Sequence, residues 1–423
     1  MKEQGPRETA FRANVAEGTS LRGLLSQPSY RRLWTARTVS QWGDAFNTVA
    51  LALLVYSLTG SGLGVAGVVV AEIIPVLLLA PVAGALVDRL PRVRVMIGAD
   101  LVRAALAFAL PFVDDSTAAV YAVAVGLSAG AVFFNPAAQS VVPAIVKDRE
   151  LVVANSGLWT AAVVSQIALA PLAGVVVATF GYTEAFWINA TSYLVSAAVL
   201  RRLTLPAAPV PTGGRTSWWS QARDGLGAIT GHRLLRALAV GQFLAALSAG
   251  ATGALLVVLA REHLEIGAAD YGLLLGAIGV GAATGPLLLA KLTDNPRRPA
   301  YVLGPFILRA AVDVVLATIT GLVSAVAALV AYGIGTSTGA VTFNSLLQAE
   351  SPEQLRGRVF AGFDMLWQSG RLLSLLAGGL LADILGIRAV YYLGAALLLA
   401  AAAAGWAGLR PSRQSRSVTG AKL

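Results

Sequence analysis

The chain has 423 residues, of which 56% are hydrophobic and only 13% are charged. Soluble proteins carry about 25% charged residues, so this composition excludes an ordinary soluble protein and indicates an integral membrane protein with many helices. The chain has no cysteine, two histidines and three methionines, which excludes a disulfide framework or a thiolate metal site and argues against transport of soft metals.

Twelve stretches are long and apolar enough to be membrane-spanning helices, each of which needs roughly 20 mostly apolar residues. They are 36–59, 63–87, 95–113, 118–139, 156–180, 184–202, 236–260, 269–292, 300–319, 322–348, 358–384 and 387–409.

Most connections are short, but the connection 203–235 is rich in proline, glycine and charge, which is typical of a linker between two halves. The predicted organisation is an N-terminal segment 1–32, a six-helix bundle 33–202, a central loop 203–235, a second six-helix bundle 236–409 and a tail 410–423.

The basic residues predict the orientation in the membrane. With the N-terminus inside, 27 of the 32 lysines and arginines fall on the inner side or at its edge, and only Arg261 and Arg388 fall outside. Cytoplasmic connections carry such an excess, so both termini and the central loop are predicted to be cytoplasmic. The net charge of +10 therefore needs no nucleic-acid partner.

The two predicted halves resemble each other. Matching residues recur at offsets of 206 in spans 3 and 9, 209 in spans 4 and 10, and 205 in spans 5 and 11. Such a repeat predicts a duplicated six-helix unit, an architecture found among transporters. Examples are the pairs Arg103 and Arg309, Phe134 and Phe343, and Gly174 and Gly379.

The connection between spans 2 and 3 reads GALVDRLPRVR and resembles the signature G-x-L-x-D-R-x-G-R-[RK] of the major facilitator superfamily, with Pro91 at the usual glycine place. The segments FFNPAAQSVVPAIVKDRELVVANS and EQLRGRVFAG are similar to the macrolide-efflux and enterobactin-exporter branch. The resemblance implies an all-α fold of twelve transmembrane helices in two pseudo-symmetric bundles, located in the inner membrane of a bacterium.

A conformational latch is predicted at this connection. A carboxylate at Asp88, where span 2 leaves the membrane, can accept hydrogen bonds from the first amides of a neighbouring helix. The resemblance implies that this neighbour is span 11 and that the contact closes the cytoplasmic side. Alternatively, the arginines are ordinary cytoplasmic anchors. The predicted latch comprises Gly84, Asp88, Arg89, Arg92, Asp294, Arg356 and Arg358.

The segment LAPLAG at 169–174 resembles the exporter motif G-P-x-x-G-G of span 5. Pro171 and Gly174 match it, whereas Ala170 and Val175 replace glycines. The resemblance favours export over import, and general close packing of helices is the alternative explanation.

Asp44 and Glu72 are predicted to couple transport to protons, because ionisable groups within spans are costly and usually functional. Asp44 shares one helix face with Gln41, Asn47 and Thr48, and its counterpart in the second half is Ala245. Glu72 lies near the middle of span 2. The alternative for both acids is a structural hydrogen bond.

Span 11 carries Asp364, Gln368 and Arg371 on one face, with Trp367 beside it, which predicts a face that lines a substrate cavity. The predicted cavity residues are Gln41, Asn47, Trp159, Gln166, Asp364, Trp367, Gln368 and Arg371.

Two further pairs, Asp100 with Arg103 and Arg309 with Asp313, have the spacing of ion pairs within one helix. We interpret them as local pairs.

The prediction is a secondary active transporter and not an enzyme. It is expected to act as a monomer that exports a drug-like, siderophore-like or natural-product molecule in exchange for protons. It needs no cofactor beyond the proton gradient and no metal, and its partners are the small-molecule substrate, protons and the lipid bilayer. The chain lacks the loop G-x-x-x-x-G-K-[ST], which argues against ATP-driven transport.

The alternatives are an importer or lysophospholipid flippase of the same fold, or a non-transporting membrane sensor that binds a partner through the 203–235 loop. An intramembrane enzyme is the weakest alternative, because no nucleophile–base pair is visible.

Overall fold

The computed structural model describes residues 20–87, 90–147, 150–205, 227, 229–293, 295, 297–351 and 356–409. These ranges contain twelve long helices and no strand, so the all-α fold is confirmed. The long helices are α1 Pro28–Thr59, α2 Gly62–Val87, α3 Arg92–Ala109, α4 Thr117–Ile145, α5 Leu151–Thr179, α6 Tyr182–Leu200, α7 Arg233–Ala254, α8 Ala268–Leu292, α9 Pro299–Thr318, α10 Leu322–Glu350, α11 Arg356–Leu385 and α12 Ile387–Leu409.

The first helix begins earlier than its predicted span. Pro28 is its first residue, where the missing N–H costs nothing and the fixed φ suits a helix. The polar residues after Pro28 hid this start from a count of apolar residues. The helix ends at Gly60, whose φ of 56° is the left-handed conformation that allows the immediate turn into α2.

Nine of the twelve long helices in the described part of the chain are apolar enough, by length and composition, to cross a membrane. The other three, α1, α6 and α11, carry more polar side chains, such as Asp44, Asn189 and Asp364. The count of twelve spans therefore stays a prediction.

The five most extensive helix pairings of the first half recur six helices later. In the first half, α1 packs against α5 and α6, α3 against α4 and α6, and α2 against α4. In the second half, α7 packs against α11 and α12, α9 against α10 and α12, and α8 against α10. The repeated packing agrees with the duplication that the matched residues predict.

Matched arginines tie the first and last helix of each half together. Arg32 Nη1 donates to the carbonyl of Arg202 at 2.5 Å, and Arg233 Nη2 donates to the carbonyl of Ala407 at 3.1 Å. The predicted domain boundaries stay predictions, because 1–19, 206–226 and 410–423 lie outside the described residues.

The two halves meet where α5 packs against α8 and α2 packs against α11. Small residues bring these backbones into direct contact: a Cβ on Gly272 would lie 2.3 Å from the carbonyl oxygen of Ala170, and one on Gly174 would lie 2.5 Å from that of Ala268. Pro171 faces Gly276 across the same interface. Pro171 and Gly174 thus pack α5 against α8, and their role in export stays a prediction.

A carboxylate connects the halves at what we call the distal end, where α1 ends and α2 begins. Asp383, in the last turn of α11, accepts hydrogen bonds from Ser61 Oγ at 2.6 Å and from the amides of Gly62 at 2.6 Å and Leu63 at 3.2 Å. The first amides of a helix have no partner within the helix and carry partial positive charge, so this contact stabilises both helix ends.

A second contact at the distal end joins α1 to the segment after α7. Tyr56 Oη donates to Glu262 Oε1 at 3.2 Å. Partial burial raises the pKa of the Glu262 carboxyl above its ordinary value, while the Tyr56 hydroxyl opposes that rise. Within the described ranges, all hydrogen bonds between the halves lie at the distal end. The distal end of the molecule is therefore closed.

Replacing Gly272 with alanine is expected to separate α5 from α8, because the new methyl group would collide with the carbonyl of Ala170. Overpacking of this kind costs roughly 1–3 kcal/mol. Spin labels on Thr179→Cys and Gly267→Cys, both exposed at the distal end, measure the separation, and the chain has no other cysteine. Gly304→Ala is the control, since a Cβ there meets nothing within 4 Å. An unchanged label distance in Gly272→Ala would contradict the close contact.

Replacing Asp383 with alanine is expected to favour an open distal end, because three donors lose their acceptor. The loss of a helix cap costs about 1 kcal/mol, or roughly a fivefold change in the ratio of closed to open molecules. The same label pair measures the populations. Asp383→Asn keeps one acceptor oxygen, so its open population should lie between those of Asp383→Ala and the unsubstituted protein. Asp115→Ala, in the exposed connection after α3, should leave the populations unchanged. Identical populations in Asp383→Ala and the unsubstituted protein would disprove the role.

Candidate functional site

Asp44 lies half-buried in α1 and contacts α6. Its Oδ1 accepts a hydrogen bond from Tyr193 Oη at 2.5 Å. One turn further along α1, Thr48 Oγ1 donates to the backbone carbonyl of Asp44 at 2.8 Å. Asn47 Oδ1 is buried without a hydrogen-bond partner, and Gln41 is half-buried. The carboxyl group of Asp44 is thus held in place by a hydroxyl donor from α6.

The ring of Tyr193 connects Asp44 to a buried ion pair. The guanidinium carbon of Arg103 lies 4.3 Å from the centre of the Tyr193 ring and 4.7 Å from that of Phe134. Arg103 pairs with Asp100, which also accepts a hydrogen bond from Ser196 Oγ at 2.6 Å. The prediction of a local Asp100–Arg103 pair is confirmed. We call Asp44, Tyr193, Arg103, Asp100 and Ser196 the N-half network.

Charge is balanced within part of this network only. Asp100 and Arg103 are 0% and 3% exposed, and a buried pair of this kind is tolerated because each charge meets its opposite and further partners. Asp44 makes no ion pair within the described residues and has only the Tyr193 hydroxyl as donor. A partly buried carboxyl group without a cation of its own is a group that can take up a proton.

Glu72 lies half-buried in α2, between the two halves. Helix α2 packs against α11, which carries Arg371 in the other half. Ser128 Oγ of α4 donates to the backbone carbonyl of Glu72 at 2.5 Å and fixes this part of α2. The structure thus places Glu72 on a helix of the interface between the halves, and its role in proton coupling stays a prediction.

The corresponding arginine of the second half has different partners. Arg309 Nη2 hydrogen-bonds to Tyr332 Oη at 3.3 Å, and its guanidinium carbon lies 5.0 Å from the centre of that ring. Asp313 accepts a hydrogen bond from Ser248 Oγ at 3.4 Å. The described residues contain no Arg309–Asp313 ion pair, so that prediction is wrong. The Tyr332 ring holds the guanidinium group that the spacing assigned to Asp313.

A cavity of about 340 Å³ lies within the second half, between α7, α9, α10 and α11. We call it the C-half cavity. Its wall combines five aromatic side chains with a few polar groups, the usual make-up of a small-molecule site. The aromatic residues are Phe306, Phe343, Phe360, Phe363 and Trp367, and the polar ones include Gln242, Asn344 and Asp364.

Asp364 and Trp367 are therefore the two predicted cavity residues that line the C-half cavity. Gln368 lies on the next turn of α11, and its Oε1 is buried without a hydrogen-bond partner. Trp159, 57% exposed, and the half-buried Gln166 lie on α5 of the other half. The structure does not gather all eight predicted residues around one cavity.

The predicted cytoplasmic latch falls largely outside the described residues. Asp88, Arg89 and Asp294 are not described, and neither are the side chains of Arg356 and Arg358.

Two further latch residues lie in the described helices α2 and α3. Gly84 lies in α2, and Arg92 Nη1 donates to the carbonyl of Ser140 in its own half at 3.1 Å. The latch at the cytoplasmic side stays a prediction.

Reasoning from the sequence missed Tyr193, Phe306 and Asp383. Tyr193 and Ser196 are three residues apart on α6 and share a face, which could have marked a polar contact inside the first half. Asp383 stands at the end of its helix as Asp88 stands after α2, and this shared position is the signal that could have found it.

Comparison with known proteins adds the family. The family model for transmembrane secretion effectors matches residues 19–420. Among curated proteins, the multidrug efflux pump Tap of Mycolicibacterium fortuitum is 28% identical over 368 residues, covering 82% of this chain and 88% of that protein. The MFS-type transporter YfiS of Bacillus subtilis is 24% identical over 403 residues, covering 88% and 91%.

Solved structures share the fold. The nucleoside transporter NupG aligns with a TM-score of 0.72 at 14% identity, covering 90% of this chain and 99% of that one. A bacterial homologue of the iron transporter ferroportin, in an inward-facing state, aligns with a TM-score of 0.72 at 17% identity, covering 90% and 98%.

The family match spans nearly the whole chain, and the helices repeat the packing of major facilitator transporters. The chain is thus a membrane transporter and not an enzyme, and it belongs to the transmembrane secretion effector family of the major facilitator type.

Proposed function

We propose that this transporter exports drug-like molecules from the bacterial cytoplasm in exchange for protons. The observation that carries the proposal is the half-buried carboxyl group of Asp44, which accepts a hydrogen bond from Tyr193 Oη at 2.5 Å and makes no ion pair within the described residues. Relatives named as multidrug efflux pumps support the direction and the substrate class. Membership of a transporter family sets aside the non-transporting sensor.

The closed distal end faces the outside of the cell in the predicted orientation, with both termini in the cytoplasm. The described state would then receive its substrate from the cytoplasm. We propose that the protein works in this orientation in the inner membrane, as a monomer.

Proton binding at Glu72 changes the force between the halves. When Glu72 is ionised, its attraction to Arg371 draws α2 and α11 together. Protonation removes this attraction and also the repulsion between Glu72 and Asp44. A ligand shifts a conformational equilibrium only if it interacts differently with the two states. A proton on Glu72 does so, because it weakens the attraction only in the state in which α2 and α11 lie close together.

Asp44 serves as the main proton-carrying group, and Glu72 serves as a second one. Its hydrogen bond from Tyr193 and the neighbouring Asp100–Arg103 pair hold the carboxyl group in one place. Substrate that enters from the cytoplasm would favour release of the proton on that side. The proton gradient then supplies the energy, and the transporter needs no cofactor for this cycle.

Asp44→Asn is expected to lower proton-driven efflux by at least about tenfold, because an amide cannot carry the proton. The measurement is the accumulation of a panel of fluorescent drugs in an efflux-deficient bacterial host, with and without a proton uncoupler. The unsubstituted protein should lower accumulation only while the gradient is intact, and Asp115→Asn should behave like it. Uncoupler-sensitive efflux at full rate in Asp44→Asn would sink the assigned role. Accumulation above that of the empty host would identify an importer instead.

Glu72→Gln and Arg371→Gln are expected to lower efflux by similar factors, because each removes one member of the same charge interaction. The double variant should be little worse than either single variant, since interacting residues are not additive. Initial efflux rates of the unsubstituted protein, the two single variants and the double variant form a double-mutant cycle that measures the interaction. Arg371→Lys keeps the charge and should retain most activity. Multiplicative losses in the double variant would show that the two groups act independently.

A further inference from the structure

The C-half cavity lies where the first half is filled by its N-half network. The offset of 201 that matches Gln41 to Gln242 makes Ala245 the equivalent of Asp44 in the second half. The offset of 206 that matches Arg103 to Arg309 makes Phe306 the equivalent of Asp100. Both acids of the N-half network are thus replaced, by a small residue and by an aromatic one, and both replacements line the cavity.

Other members of the duplicated site are retained and serve as the cavity's frame. Arg309 is 6% exposed and is held by Tyr332. Phe343, which matches Phe134, packs edge-to-face on Phe363 with ring centres 5.5 Å apart. The walls are therefore held by packing and hydrogen bonds, as is usual for a preformed binding site.

Asp364 is the one acidic residue in the cavity lining, and Arg309 is the one basic residue there. Its matched position in the first half, at the offset of 205, is Trp159, so this carboxylate has no counterpart there. Asp364 is exposed and makes no hydrogen bond or ion pair within the described residues. A free carboxylate beside five aromatic rings is an incomplete arrangement that a cation would complete.

The chemistry of the wall selects for the charge of its ligand. A cation gains the Coulomb attraction of Asp364 and the attraction of the aromatic ring faces. Arg309 in the same lining opposes a cation, but its guanidinium group is 6% exposed and lies over the Tyr332 ring, whereas the Asp364 side chain is exposed. An anion of the same shape is repelled by Asp364, and a neutral molecule gains only the apolar contact. The amides of Gln242 and Asn344 can bind polar groups of a larger ligand.

We propose that the C-half cavity binds the cationic, aromatic part of the exported molecule, so that the substrates are lipophilic organic cations. This inference rests on the proposed export function and names its substrate class. The duplicated halves then differ in role: the first half keeps Asp44 and Asp100, and the second half has Ala245 and Phe306 at these positions, where they line a substrate pocket.

The test uses two probes of nearly the same shape and opposite charge, tetraphenylphosphonium and tetraphenylborate. Binding to the purified full-length protein in detergent is measured by titration calorimetry, with micelles alone subtracted. We expect the cation to bind at least about tenfold more tightly than the anion. Asp364→Asn should weaken cation binding by about tenfold and leave anion binding equal or stronger. Glu350→Gln, an exposed acid at the end of α10, is the matched control and should bind the cation unchanged.

Phe306→Leu is a second variant, which keeps an apolar side chain and removes one ring. This variant should weaken cation binding roughly threefold or more. Because it leaves the charge of the cavity unchanged, it tests the aromatic contribution separately from that of Asp364. Equal binding of the two probes, or unchanged cation affinity in both Asp364→Asn and Phe306→Leu, would overturn the proposal.

Binding needs no proton gradient, so the two proposals can fail separately. Loss of uncoupler-sensitive efflux with charge-selective binding intact would count against export alone. Asp44-dependent efflux without charge-selective binding would count against the cationic subsite alone.

Discussion

Direct backbone contact between helices of opposite halves is the constraint on which the rest of the structure depends. Lipid gives helices little hydrophobic reason to associate, so close approach at small residues and satisfied backbone groups must hold them together. Gly174 and Gly272 provide this approach between α5 and α8, and Asp383 provides the satisfied groups between α11 and α2. The same two helices also carry Glu72 and Arg371, so the interface that closes the distal end includes both of these charged residues.

The two halves show how one duplicated scaffold can hold two kinds of site. Both keep an arginine on the third helix of the half, Arg103 or Arg309, and both place its guanidinium group over an aromatic ring. In the first half, two acids lie around this arginine: Asp100 pairs with Arg103, and Asp44 accepts a hydrogen bond from the hydroxyl group of Tyr193, over whose ring Arg103 lies. In the second half, Ala245 and Phe306 stand at the positions of those acids and line a cavity, whose wall also contains the corresponding arginine, Arg309, and packed aromatic rings.

The helices could be predicted from the sequence because apolar runs of this length have few other uses, and the family could be predicted from the motif around Asp88. Local ion pairs were predicted less well. The Asp100–Arg103 pair forms as its spacing indicates, whereas Arg309 lies against Tyr332, a residue of a different helix that spacing along one helix does not reveal.

The remaining features of the site depend on contacts between helices distant in sequence. Tyr193 reaches Asp44 from a helix 149 residues away, and Asp383 reaches Gly62 from 321 residues away. The cavity is defined by space that side chains leave unfilled, which depends on how four helices pack. Neither kind of feature leaves a periodic signal in the chain.

The position of Asp383 has a consequence for the energy needed to change state. Helices α2 and α11 pack against each other and are antiparallel, so each begins beside the end of the other. In the sequence, Asp88 directly follows α2. If Asp88 caps α11 when the distal end opens, one set of freed amides is exchanged for another as the halves rock. The two end states would then differ little in free energy. A driving force as small as that of one charge crossing a membrane, about 2.3 kcal/mol per 100 mV, would be enough to set the direction of the cycle.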